Sequence, residues 1–295
     1  MDYNNFTYEK LSEAMSALDP AYARVFTFGE SVQGRSLFCA AIGEGEEKVF
    51  LNGAHHSLEW ITASLLAAWC EDYINALKSD GEIGGVKAAD LYRKCTYYIA
   101  PMINPDGVNI VINGLTPDNP QYLSVLQMLD DRDVSKVWQA NINGVDLNHN
   151  YDALFYEYAQ IAAQSGYGQP GPRRYPGPFP FSEPETMAVR ELVLQEEFPF
   201  AIAFHSQGEV IYWSFNGLGF YREARALADA SGYALDTATG ISSYSGFKDW
   251  YLDKFNLPAF TVEIGSGVNP LPFEQFEQIK LDCYPLIAQC AFLVQ

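Results

Sequence analysis

Basic side chains are scarce in this chain of 295 residues. It has 18 lysines and arginines against 37 aspartates and glutamates, which gives a formal net charge of −19. Affinity for nucleic acids and for anionic membranes depends on basic side chains that neutralise phosphates and lipid headgroups. We therefore expect no nucleic-acid partner and no membrane partner.

Long apolar runs and paired cysteines are also missing. The longest mostly apolar run, residues 61–69, is too short to cross a bilayer, and the first residues lack the basic start and apolar stretch of a signal peptide. The odd number of cysteines and the absence of a CxxC pair favour buried free thiols in a reducing compartment over a disulfide framework. These observations predict a cytoplasmic protein. The cysteines are Cys39, Cys70, Cys95, Cys283 and Cys290.

Hydrophobic residues, in contrast, are plentiful, at 48% of the chain, with 15% aromatic. This composition is sufficient to fill a large core, and we expect one catalytic domain over residues 1–295. Apolar strand patterns alternate with helical periodicity, which predicts a layered α/β sheet. The predicted strands are 37–42, 48–51, 95–103, 198–204 and 258–264. The predicted helices are 8–18, 58–77 and 272–293.

Histidine occurs only four times, and one pair of neighbours is followed by a carboxylate at metal-ligand spacing. His56 and Glu59 form an HxxE element, and a helix or a tight turn brings both side chains to one ion. The motif by itself is weak, because a surface histidine beside a glutamate at a helix N-terminus gives the same pattern. His55, next to His56, is interpreted as a bystander near the cleft.

Two further candidates lie at the ends of apolar strands. His205 follows the strand predicted at 198–204, and Glu263 lies near the end of the strand predicted at 258–264. Each alone fits a core histidine or a strand-end carboxylate. In open α/β sheets, however, ligands bind at the carboxyl ends of the strands, and the two residues follow the HxxE element in order.

With these residues the chain resembles the zinc carboxypeptidase family. The resemblance implies a three-layer α/β/α fold with a central mixed, mostly parallel twisted sheet. Six segments carry it, in this order: 31–37 (SVQGRSL), 53–62 (GAHHSLEWIT), 104–107 (NPDG), 144–150 (GVDLNHN), 205–206 (HS) and 260–263 (FTVE).

The resemblance also implies the roles of the site residues. His56, Glu59 and His205 would bind one zinc ion, and Glu263 would take a proton from the attacking water and pass it to the leaving amine. Asp146 lies where the family has a carboxylate behind the first histidine, where it would fix the tautomer of His56. A two-histidine, one-carboxylate site also suits iron, so zinc is expected from the resemblance.

Three positions depart from the family's carboxypeptidases, which have arginine there. Leu58 lies between the first two ligands, His149 follows Asn148 in the pair that would clamp a terminal carboxylate, and Gln139 follows Trp138. An arginine fork grips a carboxylate through two parallel charged hydrogen bonds, which histidine does not reproduce. We expect Asn148, His149 and Gln139 to contact substrate without holding a plain C-terminal carboxylate in the usual way.

The form of residues 146–150 (DLNHN) is similar to a bacterial branch of the family that cleaves the γ-D-glutamyl–meso-diaminopimelate bond of peptidoglycan peptides. Residues 177–185 (GPFPFSEPE) and 205–213 (HSQGEVIYW) point the same way. We expect a small, cell-wall-derived peptide as substrate and Arg174 as a candidate partner for one of its carboxylates. Tyr244 is the candidate for the family's mobile substrate-capping tyrosine, with Ser245 and Gly246 as a hinge.

Other functions remain open at this point. A conventional carboxypeptidase with a rebuilt terminal pocket shares the metal site, and so does a zinc amidase or deacylase acting on acylated amino acids. A binding protein that keeps the fold without turnover is disfavoured, because both the metal triad and Glu263 are present. The sequence leaves wall recycling and spore formation as alternative roles.

Overall fold

The computed structural model describes residues 1–238 and 244–294 and has a central sheet of eight strands. Apolar segments form the middle strands of this sheet, as the predicted strand patterns indicate. Two short hairpins lie outside this sheet. The strands are β1 Ala23–Glu30, β2 Ser36–Ile42, β3 Glu47–Gly53, β4 Glu82–Ile83, β5 Val86–Lys87, β6 Cys95–Ala100, β7 Phe200–His205, β8 Val210–Tyr212, β9 Ser214–Phe215, β10 Leu218–Gly219, β11 Ala234–Asp236 and β12 Ala259–Glu263.

The strand order in the central sheet is β1-β2-β6-β3-β7-β12-β8-β11. Strand β3 is parallel to β6 and β7, β12 is parallel to β7, and β11 is parallel to β8. The β1–β2, β2–β6 and β12–β8 pairs are antiparallel. The predicted mixed, mostly parallel sheet is therefore confirmed, and β3, β7 and β12 end side by side at one edge.

Helices connect most of the strands in the described residues. They are α1 Tyr8–Ala17, α2 Ile61–Lys78, α3 Ala88–Lys94, α4 Pro105–Asn113, α5 Tyr122–Leu129, α6 Val134–Val137, α7 Phe155–Gln164, α8 Pro184–Glu196, α9 Tyr221–Ser231, α10 Phe247–Phe255 and α11 Phe276–Leu293. Single 3₁₀ turns occur at Ser57–Glu59, Leu147–His149 and Phe273–Gln275.

Helices cover both faces of the sheet and create two hydrophobic cores. Alternate residues of a strand point to opposite faces, so Val49 and Leu51 of β3 pack into one core and Phe50 into the other. Helices α2, α9 and α11 contribute to the first core, and α8 and α10 contribute to the second. The resulting three-layer arrangement is the one expected from the resemblance.

The predicted element boundaries are close to the observed ones, with one informative difference. The helix predicted from residue 58 begins at Ile61 in the structure, and the preceding turn, Ser57–Glu59, is a 3₁₀ helix. Glu59 therefore lies in a tight turn rather than on the long helix. All five cysteines are buried free thiols, as predicted. No helix among the described residues has the length and apolar character needed to span a bilayer.

Candidate metal centre and cleft

Three neighbouring parallel strands deliver the candidate residues to one edge of the sheet. Strand β7 ends at His205 and β12 ends at Glu263, and these two residues are paired in register. Strand β3 ends at Gly53, and the chain then turns through Ala54 in a left-handed conformation (φ 49°) before reaching His56. Hydrophobic burial of the strands on both faces fixes where these residues emerge, at the carboxyl edge where ligands bind in α/β sheets.

His56, Glu59 and His205 converge at this edge. Nδ1 of His56 lies 2.9 Å from Oε1 of Glu59, and Nδ1 of His205 lies 2.9 Å from Oε2 of the same carboxylate. One ligand atom from each residue falls within 4.8 Å of the others. The predicted cluster is thus assembled from a turn and a strand end that are 146 residues apart in the chain.

Glu59 is almost fully buried, with 3% of its surface exposed. Burial acts to raise its pKa, but the neighbouring charges of His56 and His205 outweigh burial and lower that pKa to about 2. The backbone N–H of Ser206 also donates to Oε2 of Glu59, at 3.2 Å. The carboxylate is therefore ionised and fixed in orientation, as a metal ligand must be.

Asp146 lies behind His56 on the side away from Glu59. Its Oδ1 is 2.9 Å from Nε2 of His56, and its Oδ2 accepts a hydrogen bond from the backbone N–H of Arg174 at 2.8 Å. Burial opposes ionisation, but the charges of His56 and His149 hold the pKa of Asp146 well below its usual range. An ionised Asp146 accepts a hydrogen bond from the Nε2–H of His56, which keeps the proton on Nε2 and leaves Nδ1 free to act as a ligand.

These residues fit a zinc ion. Two imidazole nitrogens and one carboxylate are the donor set of open zinc sites, which keep a further position for water. Because Asp146 occupies Nε2 of His56, the nitrogen that faces Glu59 is the one available to a metal. Nε2 of His205 is buried and has no hydrogen-bond partner among the described residues, and its Nδ1 is likewise the nitrogen directed to Glu59.

Glu263 lines the space next to this cluster. Its side chain is half-buried and borders two cavities, of about 410 Å³ and about 630 Å³. Burial and the nearby carboxylate of Glu59 raise the pKa of Glu263 well above its usual range. A cation held by the cluster would favour the ionised form, so the position suits a carboxylate that accepts and returns a proton.

The smaller cavity contains most of the predicted substrate-binding residues. Asn148, His149, Gln139 and Arg174 all line it. The ring of His149 stacks on Tyr158 with centroids 4.1 Å apart, and burial lowers the pKa of His149. Its Nδ1 lies 2.9 Å from a backbone carbonyl oxygen, which orients the ring. A neutral, oriented imidazole at this position donates or accepts one hydrogen bond but does not supply a fixed positive charge.

Two other predicted residues have different surroundings. The carbonyl of Tyr244 contacts His149, but the described lining of either cavity does not include Tyr244. Its assignment as a mobile capping residue stays a prediction. His55 is fully buried, and its Nε2 lies 2.8 Å from the hydroxyl of Tyr151. His55 lies outside the lining of both cavities, consistent with its interpretation as a bystander.

Sequence reasoning missed Lys248. This lysine is only 3% exposed and lines the smaller cavity, where its Nζ donates to the carbonyl of Ser214 at 2.8 Å and contacts the carboxylate of Asp249. It lies next to Asp249 at the start of α10. A lysine directly before an apolar helical stretch is a weak signal, because most such lysines are exposed.

Comparisons with known proteins identify the family of this chain. The profile of the zinc carboxypeptidase family matches residues 8–283. The gamma-D-glutamyl-L-diamino acid endopeptidase 1 of Lysinibacillus sphaericus is 34% identical over 281 residues, which cover 93% of this chain and 69% of that protein. An uncharacterized protein of Bacillus subtilis (strain 168), YqgT, is also 34% identical and covers 85% of this chain and 67% of its own length.

Solved structures share the fold. The carboxypeptidase A of Helicoverpa armigera superposes with a TM-score of 0.70 at 17% identity, over 97% of this chain and 73% of that chain. The murein-tripeptide amidase MpaA of Escherichia coli O157 superposes with a TM-score of 0.55 at 20% identity, over 94% and 95% of the two chains. At these identities the likeness establishes the three-layer architecture only.

Proposed function

The chain belongs to the zinc carboxypeptidase family and is a zinc-dependent metallopeptidase, and we propose that it hydrolyses the γ-D-glutamyl–meso-diaminopimelate bond of cell-wall-derived peptides. The observation that carries this proposal is the identity of 34% over 93% of the chain with a relative named for a γ-D-glutamyl-diamino acid bond. The departures from arginine at Leu58, Gln139 and His149 support it, because they remove the usual grip on a plain C-terminal carboxylate.

In this proposal His56 and His205 bind zinc through Nδ1, and Glu59 binds it through its carboxylate. When bound, zinc supplies Lewis-acid polarisation of the attacking water and of the scissile carbonyl. Asp146 keeps the proton of His56 on Nε2 and so holds the ring in the orientation that the metal requires. The tight turn at Ser57–Glu59 brings both ends of the HxxE element to one side.

Glu263 is the proposed general base and acid. Its carboxylate accepts a proton from the attacking water and then donates that proton to the nitrogen of the leaving amine. The position next to His205 in the paired strands keeps the carboxylate beside the cluster. Gln139, which borders both cavities, is placed to donate an uncharged hydrogen bond to the oxygen of the carbonyl under attack.

Asn148, His149 and Arg174 are the proposed contacts for the diaminopimelate side of the substrate. Diaminopimelate carries carboxylates at both ends, and Arg174 brings a fixed positive charge to the smaller cavity. Its guanidinium contacts Tyr167 and forms no ion pair with a carboxylate within residues 1–238 and 244–294. Lys248 in the same cavity supplies a second cation, partly offset by Asp249.

We also propose that residues 1–295 act as one catalytic domain. The strands of the central sheet come from segments between Ala23 and Glu263, and both hydrophobic cores combine segments distant in sequence. Limited proteolysis tests this. If the chain is one domain, no fragment should remain folded after cleavage.

The decisive experiment is mass spectrometry of L-Ala-γ-D-Glu-meso-diaminopimelate incubated with the zinc-loaded protein. Release of free diaminopimelate by the parent, and not by the Glu263→Gln variant, is the expected result. An intact tripeptide with full zinc content would overturn the proposed bond. Digestion of ordinary peptides from the C-terminus under the same conditions would instead identify a conventional carboxypeptidase.

A further inference from the structure

The cleft extends beyond Glu263 into the larger cavity, whose rim is rich in positive charge. Arg132, Lys136 and Arg173 all line this cavity of about 630 Å³, and its carboxylates are Glu59 and Glu263 of the proposed centre. The whole chain has only 18 basic residues and a net charge of −19. Three cations in the lining of one cavity concentrate positive charge there, which points to an anionic ligand.

The three cations differ in how far their charge is already neutralised. Nζ of Lys136 lies 3.5 Å from Oδ2 of Asp133, so this lysine has a carboxylate partner. Arg132 and Arg173 form no ion pair with a carboxylate within residues 1–238 and 244–294. Their charge is available to a ligand, and Lys136 contributes less.

Arg132 is held in place before any ligand arrives. Its Nε donates to the carbonyl of Leu129 at 2.7 Å, and one terminal nitrogen donates to the carbonyl of Met128 at 3.0 Å, which caps the end of α5. A guanidinium has five N–H groups, so the remaining donors are free to bind a carboxylate. Fixing the side chain through the helix end lowers the entropy lost when a ligand binds.

We propose that Arg132 and Arg173 bind the free α-carboxylate of the D-glutamyl residue, on the acyl side of the scissile bond. This inference rests on the proposed function, in which the cavity around Asn148 and His149 receives the diaminopimelate side. A γ-linked glutamyl residue differs from an ordinary one in leaving its α-carboxylate free, separated from the reacting carbonyl by Cγ, Cβ and Cα. The larger cavity, which shares Glu263 with the smaller one, is the space that this carboxylate enters.

The cleft would then recognise carboxylates at two places. The smaller cavity would select the amine side of the bond, and the arginines of the larger cavity would select a γ-linked acidic acyl side. Leu58 and Gln139, which also line the larger cavity, carry no charge of their own. The preference for a free α-carboxylate therefore depends on Arg132 and Arg173.

Calorimetric binding of the dipeptide L-Ala-γ-D-Glu to the zinc-loaded protein tests this without turnover. Its comparison ligand is L-Ala-D-isoglutamine, which keeps the γ-carboxylate and replaces only the α-carboxylate with an amide. We expect the parent to bind the dipeptide roughly tenfold more tightly than the amide, the range for a charge-assisted pair of hydrogen bonds. In the Arg132→Gln/Arg173→Gln variant the ratio should fall to about one.

A matched control is the Arg93→Gln/Arg225→Gln variant, which changes net charge equally. Both of these arginines are exposed and paired with Asp90 and Asp229 outside the cleft. Arg173→Gln alone leaves the α5 end intact and should still reduce the ratio about threefold. Thermal unfolding of each variant identifies any that fail to fold.

Equal binding of the two ligands by the parent, or an unchanged ratio in the double variant, would overturn the inference. So would the absence of dipeptide binding. The tripeptide cleavage experiment separates this failure from that of the proposed function. If the tripeptide is cleaved but the protein binds the two ligands equally, the arginine subsite is excluded and the proposed cleavage site is retained. If the protein distinguishes the two ligands but does not cleave the tripeptide, the subsite is retained and the proposed cleavage site is excluded.

Discussion

Nε2 of His56 lies 2.9 Å from Oδ1 of Asp146, and the other oxygen of that carboxylate accepts the backbone N–H of Arg174. A residue of the proposed zinc site is therefore held by a loop 90 positions away in the chain. The loop that carries Arg174 into the cleft is fixed by the same carboxylate. One buried side chain, Asp146, thus contacts both His56 of the proposed zinc site and the backbone of Arg174, a proposed substrate contact.

Asp146→Asn should weaken zinc binding and activity together. The amide cannot hold the proton of His56 on Nε2 with the same strength, so the ring is less well oriented and less basic. Loss of such a partner costs about 10- to 100-fold in metal affinity or activity. Zinc affinity measured by competition with a chelator, alongside kcat/KM, checks this. The exposed Asp152→Asn variant should match the parent, and an unaffected Asp146→Asn would contradict the role.

Glu263→Gln should abolish most turnover and keep the metal. A general acid–base group contributes about 10²- to 10⁴-fold, and the amide neither accepts nor donates the proton at issue. Steady-state kinetics with zinc content measured on the same sample separates catalysis from assembly. Glu277→Gln on the exposed face of α11 is the control. A variant with full zinc and parental kcat would exclude Glu263 as the base.

Metal removal should lower stability as well as activity. A ligand that binds only the folded state stabilises it by about 4 kcal/mol when present at a thousand times its Kd. We expect chelation to lower Tm and added zinc to restore it, with Glu59→Ala eliminating the response. Differential scanning calorimetry is the measurement. The exposed Glu13→Ala variant should keep the full response, and a zinc response that survives in Glu59→Ala would place the ion elsewhere.

Lys248→Met should be strongly destabilising because it leaves the buried carboxylate of Asp249 without its ion-pair partner. Asp249, which is 4% exposed, would then keep, among the described residues, only the backbone N–H of Gly246 as a donor. Removing one partner of a buried pair costs about 3–5 kcal/mol. The Lys248→Met/Asp249→Asn double variant should recover a large part of this, measured by denaturant unfolding. Lys254→Met, exposed on the same helix, should have little effect.

Glu185 predicts a pH dependence of stability. The residue is fully buried, its Oε1 accepts the N–H of Val32, and its Oε2 is 3.3 Å from Nδ2 of Asn141. Burial, reinforced by the charges of Asp106 and Glu183, raises the pKa of Glu185 to about 8. Between its unfolded value of 4.5 and about 8, the folded protein holds one more proton than the unfolded chain. This group therefore makes stability fall as pH rises through that window.

Glu185→Gln removes this contribution and keeps a neutral side chain of the same size. The variant should gain stability relative to the parent as pH increases from about 5 to about 8, and the difference should level off above that range. Urea unfolding at several pH values measures the difference directly. Glu13→Gln, which changes an exposed glutamate in the same way, is the matched control. A Glu185→Gln difference that is flat would show that Glu185 is ionised in the fold.

Much of the site was determined by the sequence alone. Apolar runs that end in His205 and Glu263 predict strands buried on both faces, and parallel strands bring their carboxyl ends to one edge. The HxxE spacing predicts a helix or a tight turn that presents His56 and Glu59 together. These are local patterns, and each survives in the structure because hydrophobic burial allows only one register for a strand of this kind.

Other features depended on tertiary structure. Contacts between distant segments determine three of them. These are the first residue of α2, the burial of Lys248, and the hydrogen bonds that Asp146 accepts from both His56 and the backbone of Arg174. No local pattern distinguishes a lysine that enters a cavity from one that faces solvent. The same holds for Arg132, whose sequence neighbours are acidic and exposed. Arg132 lies in the cleft because α5 ends nearby, and tertiary packing determines the path of the loop that follows this helix. The amino-acid composition of that loop does not predict its path.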